Sequence, residues 1–159
     1  MFFSWGVEDT AKYIYRVSNN GETGWRPSVT DIKAFSDEGC KNEIVATYVD
    51  SSGHNNRGGD GKAAFDDNPS TSWRPNCHPC GQFKAWATFS TTEQALCVEA
   101  EDLGKGSAGG ASWNSGILIE LQNKDETWGT AMESKSGNVA SVSTGIISVT
   151  VPTIKNYFF

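Results

Sequence analysis

The chain has 159 residues, of which 37% are hydrophobic, and its formal net charge is −6. This length suits one domain with a substantial core, and the acidic balance argues against nucleic acid or an anionic membrane as the main partner, because phosphates are bound by Lys and Arg. No apolar run approaches the roughly 18 residues of a membrane span, and the first residues lack the basic start and apolar stretch of a signal peptide. An exported form would therefore carry its targeting segment outside this sequence.

Apolar and polar residues alternate in short segments along the chain, a period of two that is typical of half-buried β-strands. The first such segment, residues 7–17, fits a helix and a strand equally well. Stretches rich in Gly, Asn and Ser at residues 51–61 and 104–116 interrupt the later segments, as turns do in antiparallel β-proteins. The remaining strand candidates, in chain order, are SVTDIKAF, EIVATYV, KAWATFS, ALCVEAE, ILIEL, TWGTAM and ISVTV.

This pattern predicts an all-β domain, built as an antiparallel β-sandwich or barrel. In ALCVEAE, for example, Leu96, Val98 and Ala100 alternate with polar residues and would face the core. No internal repeat and no linker divides the sequence, so residues 1–159 are predicted to form a single domain.

One stretch in the middle of the chain, AFDDNPSTSW, contains a specific set of residues. It provides Ala64, Asp66, Asn68, Thr71 and Trp73, and it is followed by Trp86 in AWATFS and by Trp128 in ETWGTAM. Over residues 25–135 this order resembles the discoidin, or coagulation factor 5/8 type C, group of galactose-binding-like domains. That group has an Ala-x-Asp-Gly-Asn-x-x-Thr-x-Trp turn, a Trp-Ile strand soon after it, and a later Asp-Gly-x-Trp hairpin.

The sequence departs from the pattern of that group at two positions and by one insertion. Asp67 stands where Gly is usual, and Ala87 stands where Ile is usual. The Cys-x-x-Cys insertion is similar to a variant associated with protists and marine algae. The resemblance implies a jelly-roll sandwich with a core at about residues 25–151, and residues 1–24 and 152–159 would be extensions.

Asp66, Asn68 and Thr71 place three short, oxygen-bearing side chains on one tight loop, for which two interpretations stay open. The side chains bond to backbone N–H groups, as in Asx and Ser/Thr turns, or they supply the hard oxygen ligands that calcium prefers. Members of the discoidin group often hold a structural calcium ion near this loop, so the resemblance implies calcium as the candidate cofactor.

The four cysteines are an even number in a small β-rich chain, which favours disulfides and an oxidising compartment. One of three possible pairings joins Cys77 to Cys80 and leaves Cys40 to join Cys97. Zinc binding is an alternative, but a strong structural zinc site has two Cys-x-x-Cys motifs. A redox role for CHPC is a second alternative, but such a motif normally opens a helix in a βαβ unit.

Loops at one end of a β-sandwich are carried on a rigid base and commonly bind ligands. Carbohydrate suits such a site, because an aromatic ring packs on the apolar sugar face while polar groups bind the hydroxyls. Trp113, flanked by small polar residues, is the best candidate for an exposed ring, whereas core positions are the stronger interpretation of Trp73 and Trp86. The candidate ligand-binding residues are His54, Asn56, Arg57, Trp73, Arg74, Trp113 and Asn114.

The sequence contains no nucleophile–base motif and no phosphate-binding loop, so no enzymatic activity is expected. Two functions from different classes remain. The first is an extracellular or lumenal module that binds carbohydrate or a glycosylated protein surface. The second is a structural accessory subunit within a larger assembly, organellar or membrane-associated, because the aromatic end segments MFFSW and NYFF would need to be covered.

Overall fold

A computed structural model describes residues 12–22, 28–56, 59–77, 79–102, 117–133 and 146–150 of the chain. Within these ranges the backbone forms nine strands and one short 3₁₀ helix, Gly61–Ala64. The strands are β1 Tyr13–Asn19, β2 Val29–Phe35, β3 Glu43–Ile44, β4 Thr47–Ser51, β5 Trp86–Thr91, β6 Cys97–Asp102, β7 Ile117–Gln122, β8 Trp128–Glu133 and β9 Ile146–Thr150.

The strands form two antiparallel sheets that pack on each other as a sandwich. One sheet has the order β4-β5-β1-β7-β8, and the other has the order β3-β2-β6-β9. A single cluster of buried apolar side chains lies between them, with residues from both sheets. The predicted all-β sandwich is therefore confirmed. From the five-stranded sheet the cluster takes Tyr15, Val17, Ala87, Phe89, Ile117 and Ile119, and from the four-stranded sheet Val29, Ile32, Ala34, Val98 and Ala100.

The Tyr15 ring shows how the core accommodates a polar group. It stacks on Phe89 with 5.4 Å between ring centroids, and its hydroxyl accepts a hydrogen bond from the Ala95 N–H at 2.9 Å. Burial raises the pKa of Tyr15 to about 12, although the Ala95 hydrogen bond acts in the opposite direction. The phenol therefore stays neutral at physiological pH and its oxygen is satisfied.

The first segment, which fitted a helix and a strand equally well, forms strand β1 from Tyr13 onward. This strand also extends the core beyond its predicted start at residue 25. It is the central strand of the five-stranded sheet and pairs with β5 and β7. Tyr15 and Val17 are buried, as the alternating pattern requires. Residues 1–24 are therefore not all an extension, because Tyr13–Asn19 belong to the core of the domain.

The segment EIVATYV, predicted as one strand, is two strands in different sheets. Glu43–Ile44 pair with β2, whereas Thr47–Ser51 pair with β5. The chain thus passes from one layer to the other between the two strands, and Val45 on this connection is 81% exposed. The period of two continues through the crossing, so the sequence pattern alone did not indicate it.

Two disulfides are present: one joins Cys40 to Cys97, and the other joins Cys77 to Cys80. Cys40 and Cys97 are separated by 57 positions in the chain, and Cys77 and Cys80 by 3. All four sulfurs are in these bonds, so they are not thiolates available to zinc. The bonds indicate an oxidising environment. Within the described ranges, no helix has the length and apolar character needed to cross a membrane.

Candidate functional site at the loop end

At one end of the sandwich β1 and β6 end and β2 and β7 begin, and we call this end the loop end. In the five-stranded sheet, the last residue of β1, Asn19, pairs with the first residue of β7, Ile117. In the four-stranded sheet, Val29 at the start of β2 pairs with Asp102 at the end of β6. Trp73 forms backbone hydrogen bonds with Val29 in both directions, at 2.8 and 2.9 Å. Chain segments from both layers therefore converge here.

Two segments at the loop end, residues 53–56 and 73–76, are joined by hydrogen bonds and are called the apical loop pair. The indole Nε1 of Trp73 donates to the Gly53 carbonyl at 2.9 Å, and the Asn55 N–H donates to the Arg74 carbonyl at 3.0 Å. Four of the predicted ligand-binding residues lie on this pair, namely His54, Asn56, Trp73 and Arg74. His54 and Asn56, on either side of Asn55, are exposed.

Trp73 does not present its ring to a ligand, and its prediction as a binding residue is corrected. Its exposed fraction is 0%, and it belongs to the core cluster. The alternative interpretation of Trp73, as a core residue, is therefore confirmed. Trp86, by contrast, is only half-buried and is not part of the core cluster.

Arg74 is the cation of the apical loop pair and lacks an internal counter-charge among the described residues, since none of their carboxylates forms a salt bridge with it. The side chain is half-buried, and its Nε is shielded from solvent without a hydrogen-bond partner. A buried donor without an acceptor is costly.

The described residues after the apical loop pair, 77 and 79–85, are held by a disulfide and by Asn19. Cys77 and Cys80 close its first turn. The Asn19 amide donates to the Gly21 carbonyl at 2.6 Å and to the Gly81 carbonyl at 2.8 Å. Its Oδ1 accepts from the Ala85 N–H at 3.0 Å. Asn19 itself is fully buried, so one amide satisfies three backbone groups and holds this segment against the sheet.

Replacing Asn19 by alanine is expected to lower the free energy of unfolding by about 2–3 kcal/mol, because one buried and two half-buried backbone groups would lose their partners. Urea unfolding of the variant measures this change. The exposed Asn123, in the turn at the opposite end, is the matched control, and its alanine variant should change stability by less than about 0.5 kcal/mol. Equal effects of the two variants would show that Asn19 does not anchor the segment.

Sequence reasoning missed Phe83 as a candidate site residue. The residue is 44% exposed, and its backbone has a φ of +60°. A bulky L-residue rarely adopts this left-handed conformation, which costs roughly 1–2 kcal/mol. Nothing in the string CGQFKAW signals a positive φ at a phenylalanine, because such conformations are normally inferred from Gly or Asn.

The turn of Asp66, Asn68 and Thr71 is closed by its own hydrogen bonds. Asp66 accepts from the Asn68 N–H at 3.0 Å and from the Thr71 hydroxyl at 2.5 Å, and Asn68 Oδ1 accepts from the Ser70 N–H at 2.9 Å. The interpretation as Asx and Ser/Thr turns is therefore observed. Since these oxygens already have donors, the turn does not require calcium for its shape, and calcium binding stays a prediction.

Asp67, at which the resemblance to the discoidin group predicts Gly, has a backbone conformation that favours Gly. Its φ is +54°, in the region that Gly enters without a steric cost and that Asp tolerates better than most residues. Its carboxylate lies 3.6 Å from the Lys33 ammonium, which is also 3.4 Å from Asp31. Burial raises the pKa of Asp31, and the neighbouring Lys33 opposes this shift.

Three predicted ligand-binding residues, Arg57, Trp113 and Asn114, lie outside the described residues. Their roles stay predictions. The strands on either side of residues 103–116, β6 and β7, end and begin at the loop end. Among the described residues, the segments that carry His54, Asn56 and Arg74 are in contact at the loop end.

No family model, no curated protein and no solved structure matches the chain. The resemblance to the discoidin group therefore rests on the residues of the turn, the strand and the hairpin, and membership of that group stays a prediction.

Proposed function

We propose that this chain is a non-catalytic binding module that recognises carbohydrate, or a glycosylated protein surface, through its loop end. The supporting observation is Arg74, a half-buried cation with an unpartnered Nε on a segment bonded to the loop of His54 and Asn56. Arginine, amide and imidazole groups bind sugar hydroxyls and carboxylates well because they combine several donors with acceptors.

The proposal includes an extracellular or lumenal location. Two disulfides are expected to persist only where thiols are not kept reduced, and glycans are abundant ligands in such compartments. The rigid support also suits a binding role, since hydrogen bonds from the core side chains Trp73 and Asn19 preorganise the loops that they hold.

A glycan array, with neutral and carboxylated glycans, tests the proposal directly. The wild-type chain should bind a restricted set of glycans, and Arg74→Ala should lower the affinity for that set by about tenfold or more, as expected for the loss of charge-assisted hydrogen bonds. Arg74→Lys should give an intermediate affinity, because it keeps the charge and loses the planar fork.

The control for this experiment is Lys124→Ala, which removes an exposed cation from the β7–β8 turn at the opposite end. It should bind as the wild type does. Full binding by Arg74→Ala, with its fold intact by circular dichroism, would contradict the role of the apical loop pair.

The second candidate function, a structural accessory subunit, is favoured by two exposed apolar residues near the edge strand β4. Val45 is 81% and Val49 51% exposed, and edge strands with apolar side chains associate readily with other chains. Silence across the glycan array, together with reversible self-association of the wild-type chain that Val45→Ser and Val49→Ser abolish in sedimentation experiments, would favour this function over carbohydrate binding.

A further inference from the structure

Phe83 combines two properties that seldom occur together in a residue with only a structural role. Its backbone is left-handed, with a φ of +60°, and the residue is 44% exposed. A bulky residue in this conformation is normally retained because burial of its side chain compensates for the strain. Phe83 is not a member of the core cluster, so core packing does not explain it.

The surrounding structure fixes Phe83 in this conformation. Its N–H donates to the Asn19 carbonyl at 2.9 Å, and the Lys84 N–H donates to the Gly81 carbonyl at 3.1 Å. The disulfide of Cys77 and Cys80 closes the preceding turn. Strain that neighbouring contacts impose on an exposed residue is found mainly at functional sites, where it orients a group for its ligand.

The position of Phe83 connects it with the apical loop pair. Residue 76, the last residue of the apical loop pair, directly precedes Cys77. The disulfide links Cys77 to Cys80, which lies three positions before Phe83 in the chain. Gln82 and Lys84, on either side of Phe83, are exposed polar residues. The ring is thus an isolated apolar surface among hydrogen-bonding side chains, an arrangement that suits the mixed apolar and polar faces of a sugar.

We propose that Phe83 is a ligand-contact residue whose ring packs on the apolar face of a sugar bound at the loop end. This inference rests on the proposed function and adds the aromatic surface that buried Trp73 does not provide. The left-handed backbone holds the ring outward, so the contact surface exists before the ligand arrives and little ordering is required on binding.

The test compares Phe83→Gly, Phe83→Ala and Phe83→Trp with the wild-type chain on the glycan array and in thermal unfolding. Phe83→Gly removes the ring and relieves the backbone, since Gly adopts positive φ freely. It should raise the Tm by about 2 °C and lower the affinity for the bound glycans by about tenfold, which corresponds to roughly 1.4 kcal/mol. Phe83→Ala should lose the same affinity without that gain in Tm, and Phe83→Trp should keep the affinity.

The control is Lys124→Ala, which truncates an exposed residue in the β7–β8 turn at the opposite end and should leave glycan binding unchanged. Unchanged binding by Phe83→Gly, with binding lost in Arg74→Ala, would overturn the role of Phe83 and leave the proposed function in place. A wild-type chain silent on the array would overturn both. Binding to phosphatidylserine-containing vesicles instead of glycans, with dependence on Phe83, would assign the ring to a membrane and also overturn the inference.

Discussion

The Trp73→Ala variant is expected to lose about 3–5 kcal/mol of unfolding free energy, the range found when a large buried aromatic side chain is removed. The Trp73 ring is fully buried in the core cluster, and the surrounding sheets cannot close the cavity without moving. Because small domains have a total stability of about 5–15 kcal/mol, the variant would retain little margin. Urea unfolding followed by circular dichroism measures the loss.

Trp73→Phe is the control that separates the volume of the ring from its hydrogen bond. It keeps most of the apolar surface and removes the Nε1–H that bonds the Gly53 carbonyl, so about 1–2 kcal/mol should be lost. The same variant should weaken glycan binding, because Gly53 begins the loop that carries His54 and Asn56. Equally small losses of unfolding free energy in Trp73→Ala and Trp73→Phe would contradict the buried position of the Trp73 ring.

The sandwich was predictable because its physical signals are local. Val98 and Ala100 are buried where the alternation placed them, whereas Leu96, outside the strand, is only half-buried. A period of two has few other structural explanations. The turn of Asp66 was predictable for the same reason, since short polar side chains bond to backbone groups a few residues away.

The site was less predictable because its features depend on contacts between distant segments. The burial of Trp73 follows from its pairing with Val29, 44 positions earlier in the chain. The positive φ of Phe83 depends on the carbonyl of Asn19, and the layer change at Val45 depends on two different partner strands. No periodicity within a short window contains these relationships.

The two disulfides should contribute differently to stability and to binding. In the chain-entropy description, a cross-link stabilises more when it closes a longer loop. Cys40 and Cys97, 57 positions apart, should contribute about 4 kcal/mol, and Cys77 and Cys80, 3 apart, about 2 kcal/mol. Because Cys97 and Cys80 are fully buried, double alanine variants avoid placing a new polar group in the core.

Urea unfolding of the two double variants, Cys40→Ala with Cys97→Ala and Cys77→Ala with Cys80→Ala, measures this difference. The wild-type chain in excess dithiothreitol should approach the stability of a variant in which all four cysteines are replaced by alanine. The loss of glycan affinity should be larger for the Cys77→Ala, Cys80→Ala variant, because Cys77 and Cys80 fix the segment of Phe83 at the loop end. It should be smaller for the other double variant, because Cys97 begins β6 at the other end. Wild-type glycan affinity in the Cys77→Ala, Cys80→Ala variant would show that the cross-link at the loop end does not preorganise the site. Equal losses of stability from both pairs would contradict the dependence on loop length.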